Sequence, residues 1–289
     1  MYPNSTHILL KDEQEPMLLE KHHIMETELV LPEVRRQVPS LEWFFDSQLV
    51  FGGLRDLLPS WLGLSGYMIK LQYNKGHGGC FPMHFDTYGD DGKCLTAVLY
   101  LNENWQEGDG GEIVVYPFPR KEPVTIRPLD GDLVLFSSQQ MLHRVMPAIK
   151  PRFCLTTWMY QAHSNATDPA RNAFYQPEDQ EPNYLSDVLH KVMRSSFRRH
   201  LAKLYYHEEW SRSLQQSHQQ TSAFEKYADT QEREVQVIKD ATTKMLHNFR
   251  VKDKKQPSTL PQSSEALLEK ITTDDQYRQI LSKMPIPWF

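Results

Sequence analysis

The chain has 289 residues, 39% of them apolar and 24% charged, a length that accommodates one sizeable domain and an appendage. Its net charge of −5 divides into 14 Lys+Arg against 20 Asp+Glu over residues 1–160 and 18 against 17 over residues 161–289, so neither part carries the basic footprint of a nucleic-acid binder. No stretch approaches the roughly 20 apolar residues that span a bilayer, and the first thirty residues lack the apolar core and cleavage site of a secretory signal.

Cys80, Cys94 and Cys154 are the only cysteines and show no CxxC spacing, which suits a reducing compartment rather than a disulfide scaffold. A cytoplasmic or nuclear setting is expected, with neither membrane nor nucleic acid among the partners. Composition sets no oligomeric state.

In chain order, residues 1–65 are expected to form a helical support region. Within it, residues 40–62 place apolar groups at helical spacing, and Pro59 ends the helix. From Gly66 to Tyr160 the text alternates strand-like runs with Gly/Pro/Asp turns. GYMIKLQYN, KCLTAVLYLN, GEIVVYP, GDLVLFSS and RFCLTTWMY are rich in β-branched and aromatic residues at period two, broken by GDDG, EGDGG and LDGD. Residues 66–160 are therefore expected to form a mainly β sandwich or jelly roll.

Residues 161–183 are polar and read as a linker; residues 184–289 read as a helical region with no assigned role. An amphipathic helix there sets Leu185, Val188, Leu189, Val192, Leu201 and Leu204 on one face, and Arg194, Arg198, Arg199 and Lys203 on a solvated polar face. Further helices are expected near residues 225–249 and 265–284.

His84 and Asp86 lie two apart on an expected strand, so both side chains point to one face, about 6.5–7 Å apart along it, and can reach one metal ion. The comparable pair His207 and Glu209 falls on a helical pattern, where such residues diverge, and reads as solvated surface. His143 follows a later strand, and Arg152 opens the next one nine residues on. Two histidines and a carboxylate make the facial triad of non-haem iron(II) oxygenases, although zinc accepts the same ligands. An arginine nearby supplies a bidentate fork for a carboxylate.

Strand alternation puts Arg152, Cys154, Thr156 and Trp158 on one face, and Thr96, Val98 and Tyr100 on one face of an earlier strand. The same count sends Tyr67, Ile69, Leu71 and Tyr73 to one side, which makes Tyr73 and Tyr100 pocket candidates. His77, in the loop NKGHGGC, reads as a solvated loop histidine. Gly110 and Gly111 read as a backbone turn or bulge.

The stretch from about residue 66 to 160 resembles the catalytic domain of the 2-oxoglutarate-dependent prolyl 4-hydroxylases and their relatives. The resemblance rests on the HxD of His84 and Asp86, on LYLN ending a strand, and on the GGE of Gly110, Gly111 and Glu112. GDLVLF from Gly131 and HRV with Arg152 nine residues after His143 complete it, in the family's order and spacing.

The resemblance implies a double-stranded β-helix holding iron(II) at His84, Asp86 and His143. It implies 2-oxoglutarate as cosubstrate, its distal carboxylate paired with Arg152 and attended by Tyr100 and Thr156, with Tyr73 as a further pocket tyrosine. Dioxygen is implied as oxidant and ascorbate as reductant. Hydroxylation of a peptidyl residue is the implied reaction; a small-molecule or free amino-acid hydroxylase of the same superfamily, or a non-catalytic interaction protein retaining the fold, are the alternatives.

Overall fold

The computed structural model describes residues 1–8, 17–87, 91–119, 122–161, 184–194, 197–252 and 260–283. The expected linker, apart from Gln161 at its junction with the sheet, lies outside the described residues.

The chain opens with an antiparallel hairpin, β1 (Tyr2–Ile8) and β2 (Met17–Glu28), where a helical region was expected. The strand signal is concealed because two of the inward positions of β2 hold Lys21 and Glu26 rather than apolar residues, which breaks the alternation that marks a half-buried strand. Three short helices follow: α1 (Pro32–Arg35), α2 (Pro39–Asp46) and α3 (Leu49–Leu57). The first two begin with proline, whose missing N–H costs nothing at that position. Gln48, in the left-handed conformation at φ 53°, divides α2 from α3 within the segment read as one helix.

The β core runs β3 (Leu64–Asn74), β4 (Gly79–His84), β5 (Lys93–Tyr100), β6 (Ile113–Tyr116), β7 (Val124–Ile126), β8 (Leu133–Ser137), β9 (Leu142–Ala148) and β10 (Arg152–Gln161). Two antiparallel sheets result: a six-stranded one of order β1-β2-β3-β10-β5-β8 and a four-stranded one of order β4-β9-β6-β7.

Period-two alternation assigns the faces. Leu95, Ala97 and Met159 of the large sheet point outward and bury Phe51 and Leu62 beside α3, while Leu29, Ile69 and Leu155 cover Leu41, Phe44 and Phe45. Between the sheets, Val98, Tyr100 and Cys154 of the large sheet meet Ile113 of the small one.

The rest of the described chain is helical: α4 (Tyr184–Arg194), α5 (Phe197–Tyr205), α6 (His207–Ser217), α7 (Ser222–Lys252), α8 (Ser264–Thr273) and α9 (Asp275–Lys283). Met83, Val114, Tyr116 and Leu142, on the outer face of the small sheet, share one apolar cluster with Leu189, Leu201, Trp210 and Leu246. Each fully buried leucine or valine contributes about 1.5–3 kcal/mol, so this region is part of the core rather than a satellite.

Of the polar face expected to be solvated, Arg198, Arg199 and Lys203 turn toward packed neighbours, and the Arg194 side chain lies outside the described residues. Arg198, only 2% exposed, donates to Gln140 Oε1 at 2.5 Å; Lys203 is also buried and donates to Glu234 Oε2 at 2.6 Å and Gln231 Oε1 at 2.7 Å. Arg199 donates to the Thr87 carbonyl at 3.2 Å. Charges opposed by carboxylates and amides of packed neighbours are buried as pairs, which a pattern of one helix cannot reveal. No helix among the described residues is long and apolar enough to cross a membrane.

Candidate active site

His84 ends β4 and His143 is the second residue of β9, and the two strands pair so that these histidines stand directly opposite each other. Asp86 follows β4 at once, its backbone N–H donating to the Ser138 carbonyl at 3.1 Å. One ligand atom from each of the three residues falls within 4.8 Å of the others, the spacing at which they could hold one metal ion.

Each ring is held from behind. His84 Nδ1 lies 2.7 Å from the Pro82 carbonyl and His143 Nδ1 3.1 Å from that of Met141. A proton on each Nδ1 satisfies those carbonyls and leaves Nε2 as the free lone pair. The Nε2 atoms of His84 and His143 stand 3.5 and 3.8 Å from Asp86 Oδ1. The other Asp86 oxygen accepts from Thr96 Oγ1 at 2.5 Å, and Thr96 in turn meets Ser138 Oγ at 2.8 Å.

Burial works against ionisation of Asp86, but His143, His84 and the Thr96 hydroxyl outweigh it and hold its carboxyl well below the usual carboxylate range. Burial, with His84 beside it, pushes His143 down to about 4 against the opposing charge of Asp86. The set at neutral pH is one carboxylate and a neutral His143 imidazole, as metal ligation requires.

The triad opens into a cavity of about 390 Å³ between the two sheets. Arg152, the first residue of β10, lies in it at 3% exposure. Its guanidinium carbon is 5.0 Å from the centroid of the buried Tyr100 ring, and Nη1 is 3.5 Å from Cys154 Sγ. Arg152 Nε and Tyr100 Oη are both buried without a hydrogen-bond partner.

A buried cation and hydroxyl left unsatisfied beside a cavity are costly unless an acceptor binds there. An anionic ligand with a terminal carboxylate fits that end. Burial pushes the Tyr100 hydroxyl up to about 12, partly offset by Arg152, so it remains a donor. Thr156 shares this wall and donates to Gln72 Oε1 at 2.9 Å.

The two glycines read as a turn serve Arg152 directly. At φ 79° a Cβ on Gly111 would come 2.7 Å from Arg152 Cδ, and at φ 75° one on Gly110 would meet the Pro147 carbonyl oxygen at 2.1 Å. The GGE signature is the bend that makes room for the arginine.

The structure therefore gathers His84, Asp86 and His143 at one point and sets Arg152 and Thr156 along the adjoining wall, with Tyr100 beside Arg152. Tyr73 is a correction. It lies on the opposite face of β3, stacked on its cross-strand neighbour Phe153 at 4.5 Å, because strand alternation sends Lys70 and Gln72 inward and Tyr73 out. His77 lies outside the cavity, 5.8 Å from His23.

Glu209 is not mere surface: it accepts a short hydrogen bond from the Tyr116 hydroxyl and lies 3.5 Å from Arg144 Nη1, beside His143 in sequence. Gln72 and Ser138 escaped the sequence reading, which sets Thr96 on one face with Tyr100 but gives it no role. Gln72 could have been found by setting β3 antiparallel to β10, whose inward residues are Arg152, Cys154 and Thr156.

Comparison with known proteins agrees with this geometry. A model of the 2OG-Fe(II) oxygenase superfamily matches residues 69–160. The structure of prolyl 4-hydroxylases from Phytophthora capsici is 30% identical, with a TM-score of 0.62 over 89% of this chain and 77% of that one. The chain belongs to the 2-oxoglutarate and iron(II) oxygenase superfamily, with a prolyl 4-hydroxylase-like domain.

Among curated proteins, the hypoxia-inducible factor prolyl hydroxylase of Caenorhabditis elegans is 39% identical over 85 residues, 29% of this chain and 12% of that protein. Prolyl hydroxylase EGLN3 of Mus musculus is 30% identical over 93 residues, 32% of this chain and 39% of that protein. The chain thus spans well under half the length of these curated relatives.

Proposed function

We propose that the chain is an iron(II)- and 2-oxoglutarate-dependent dioxygenase that hydroxylates a C–H bond of a peptidyl residue, in the manner of a prolyl 4-hydroxylase. The observation that carries this reading is that Arg152, its Nε unsatisfied beside the equally unsatisfied Tyr100 hydroxyl, lines the same cavity as the His84, Asp86 and His143 cluster. The strand orders β3-β10-β5-β8 and β4-β9-β6-β7 support a double-stranded β-helix.

When bound, iron(II), 2-oxoglutarate and dioxygen supply the oxidising power, with 2-oxoglutarate converted to succinate and carbon dioxide, and ascorbate as the reductant that maintains the metal. The protein's part is to hold and orient. His84 and His143 present Nε2 and Asp86 a carboxylate oxygen, and the carbonyls of Pro82 and Met141 fix the tautomers. Thr96 locks the Asp86 carboxylate.

Arg152 pairs with the distal carboxylate of 2-oxoglutarate while the Tyr100 hydroxyl donates to it, and Thr156, its proton given to Gln72, packs beside them. Val98, Ile113, Phe136 and Val145 line the cavity and exclude water around these charges. Asp86 fills a position that a halide would otherwise take, which favours hydroxylation. Cys80, Cys94 and Cys154 are all buried and none forms a disulfide, consistent with a cytoplasmic or nuclear setting.

The peptidyl prolyl substrate rests on the relatives. Its test is incubation of the iron-loaded protein with 2-oxoglutarate, heavy-oxygen gas and a peptide pool digested from whole-cell protein. Hydroxyproline carrying the heavy label is expected. A label found only on small metabolites would turn the assignment to a small-molecule hydroxylase.

A further inference from the structure

The cavity divides by origin. The triad and its proposed cosubstrate end, Arg152, Tyr100, Thr156 and Gln72, all lie within residues 69–160, the stretch shared with the superfamily. A second part of the lining comes from outside that stretch: Asn4, Leu19, Lys21 and Glu26 from the β1–β2 hairpin, and residues such as Trp210 and Leu214 from α6. The two sources touch, since Lys21 forms an isolated antiparallel bridge with His218, just past α6.

This second compartment has one polar floor and one apolar wall. On the floor, Lys21 Nζ donates to Asn4 Oδ1 at 2.7 Å, Asn4 Nδ2 to Glu26 Oε2 at 2.5 Å, and Lys70 Nζ to Glu26 Oε1 at 2.9 Å. Glu26 and Asn4 are 4% and 8% exposed. Lys21 Nζ also lies 5.7 Å from the Phe81 ring centroid, and Phe81 is 6.4 Å from the metal-facing ring of His84. The wall is Trp210 and Leu214, with Phe85 packed 6.4 Å from Trp210.

Its lining holds three ammonium groups and one carboxylate, and the other carboxylates stand at the rim beside Lys70 and Lys93. With iron(II) and doubly charged 2-oxoglutarate in place, Asp86 and Arg152 leave the oxygenase centre neutral. The other charged residues lining the cavity, among those described, are Lys21, Lys70 and Lys93 against Glu26. Lys93 leans on Asp91 at the rim at 3.1 Å, and Lys70 has Glu26 and, at 3.5 Å, Glu28. Lys21 is the cation set deepest, and burial, partly opposed by Glu26, depresses its pKa to about 8. A buried ammonium in that state gains from any anion brought beside it.

We propose that the compartment between the β1–β2 hairpin and α6 is the substrate subsite, and that Lys21 binds an acidic side chain of the peptide near its target residue while Trp210 and Leu214 cover an apolar neighbour. This rests on the oxygenase reading above and adds to it the class of peptide accepted. Lys21 is a specificity residue, and Glu26 sets its position through Asn4.

The test pairs proline-containing fluorescent peptides that differ only in Asp against Asn, with that residue scanned along both flanks of the proline. Binding is read by anisotropy in 2-oxoglutarate and manganese(II), without turnover. Wild type is expected to favour the Asp member at one spacing by about tenfold or more, the worth of one charge-assisted hydrogen bond.

Lys21→Met is expected to erase the preference, and Glu26→Gln, which keeps the side chain's shape and one acceptor oxygen and removes the competing charge, to enlarge it. Equal binding of both members, no binding of either, or a preference untouched in Lys21→Met would overturn the subsite. Where Lys21→Met does not fold, a preference unchanged or reduced in Glu26→Gln overturns it. Succinate formation by the wild type, measured separately, tells such a failure from failure of the oxygenase reading.

Discussion

His84 and His143 face each other across two neighbouring antiparallel strands, β4 and β9, with ring centroids 4.3 Å apart. Register alone brings two residues 59 positions apart in sequence to one point, and the ladder that fixes it is what makes the metal position rigid. Asp86 completes the set from the turn after β4, held by Thr96.

Thr96→Val is therefore expected to lower metal affinity by about 10–100-fold, the usual effect of losing an outer-shell partner, while leaving the fold intact. Titration with cobalt(II), followed by its visible absorption, measures the affinity. His143→Ala is expected to abolish the absorption.

Arg152→Lys keeps the charge but loses the planar fork, and Arg152→Ala removes both. Truncating one partner of a buried charge pair costs about 2–5 kcal/mol, so Arg152→Ala is expected to weaken 2-oxoglutarate binding by about 30-fold or more in calorimetry, with Arg152→Lys between it and wild type. Gly111→Ala is expected to behave similarly, because its methyl would press on Arg152 Cδ.

Trp210→Ala on α6 is expected to destabilise the protein by about 3–5 kcal/mol in chemical denaturation, the cost of emptying a buried tryptophan site. Trp210 is 7% exposed and belongs to the cluster that joins the helices to the small sheet. Removing residues 184–289 would bare Met83, Val114, Tyr116 and Leu142 to water, so the shortened chain is expected to aggregate.

His218 gives a pH signature outside the metal site. Burial, with Lys21 close by, lowers it to about 4 from 6.5. Between those values the unfolded chain binds the proton and the folded chain does not, so stability falls as pH drops through that window. The melting temperature of the metal-free protein is expected to decline from pH 6.5 to pH 4, and less steeply in His218→Gln.

The catalytic half of the molecule was legible because its signals are local. HxD, GGE and an arginine opening β10 are each short local signals, and the structure puts His84, Arg152 and Thr156 where alternation points them, with Asp86 brought to the same point by the turn after β4. Tyr73 failed because parity along β3 was fixed from its own aromatics, whereas the inward face is set by pairing with β10.

The flanking segments were harder to read because their inward residues are charged. Lys21 and Glu26 concealed a strand, and Arg198 and Lys203 looked like a solvated face until partners on α7 and the core were known. Buried ion pairs are properties of two elements at once, so a single segment does not display them.

The most direct test of the account is succinate formation from 2-oxoglutarate by protein reconstituted anaerobically with iron(II), then exposed to air with ascorbate. Iron-dependent succinate in the wild type is expected, absent in His84→Ala and requiring far more 2-oxoglutarate in Arg152→Ala. No succinate, together with no binding of 2-oxoglutarate to the iron-loaded protein, would contradict the oxygenase assignment and leave a fold retained for interaction alone.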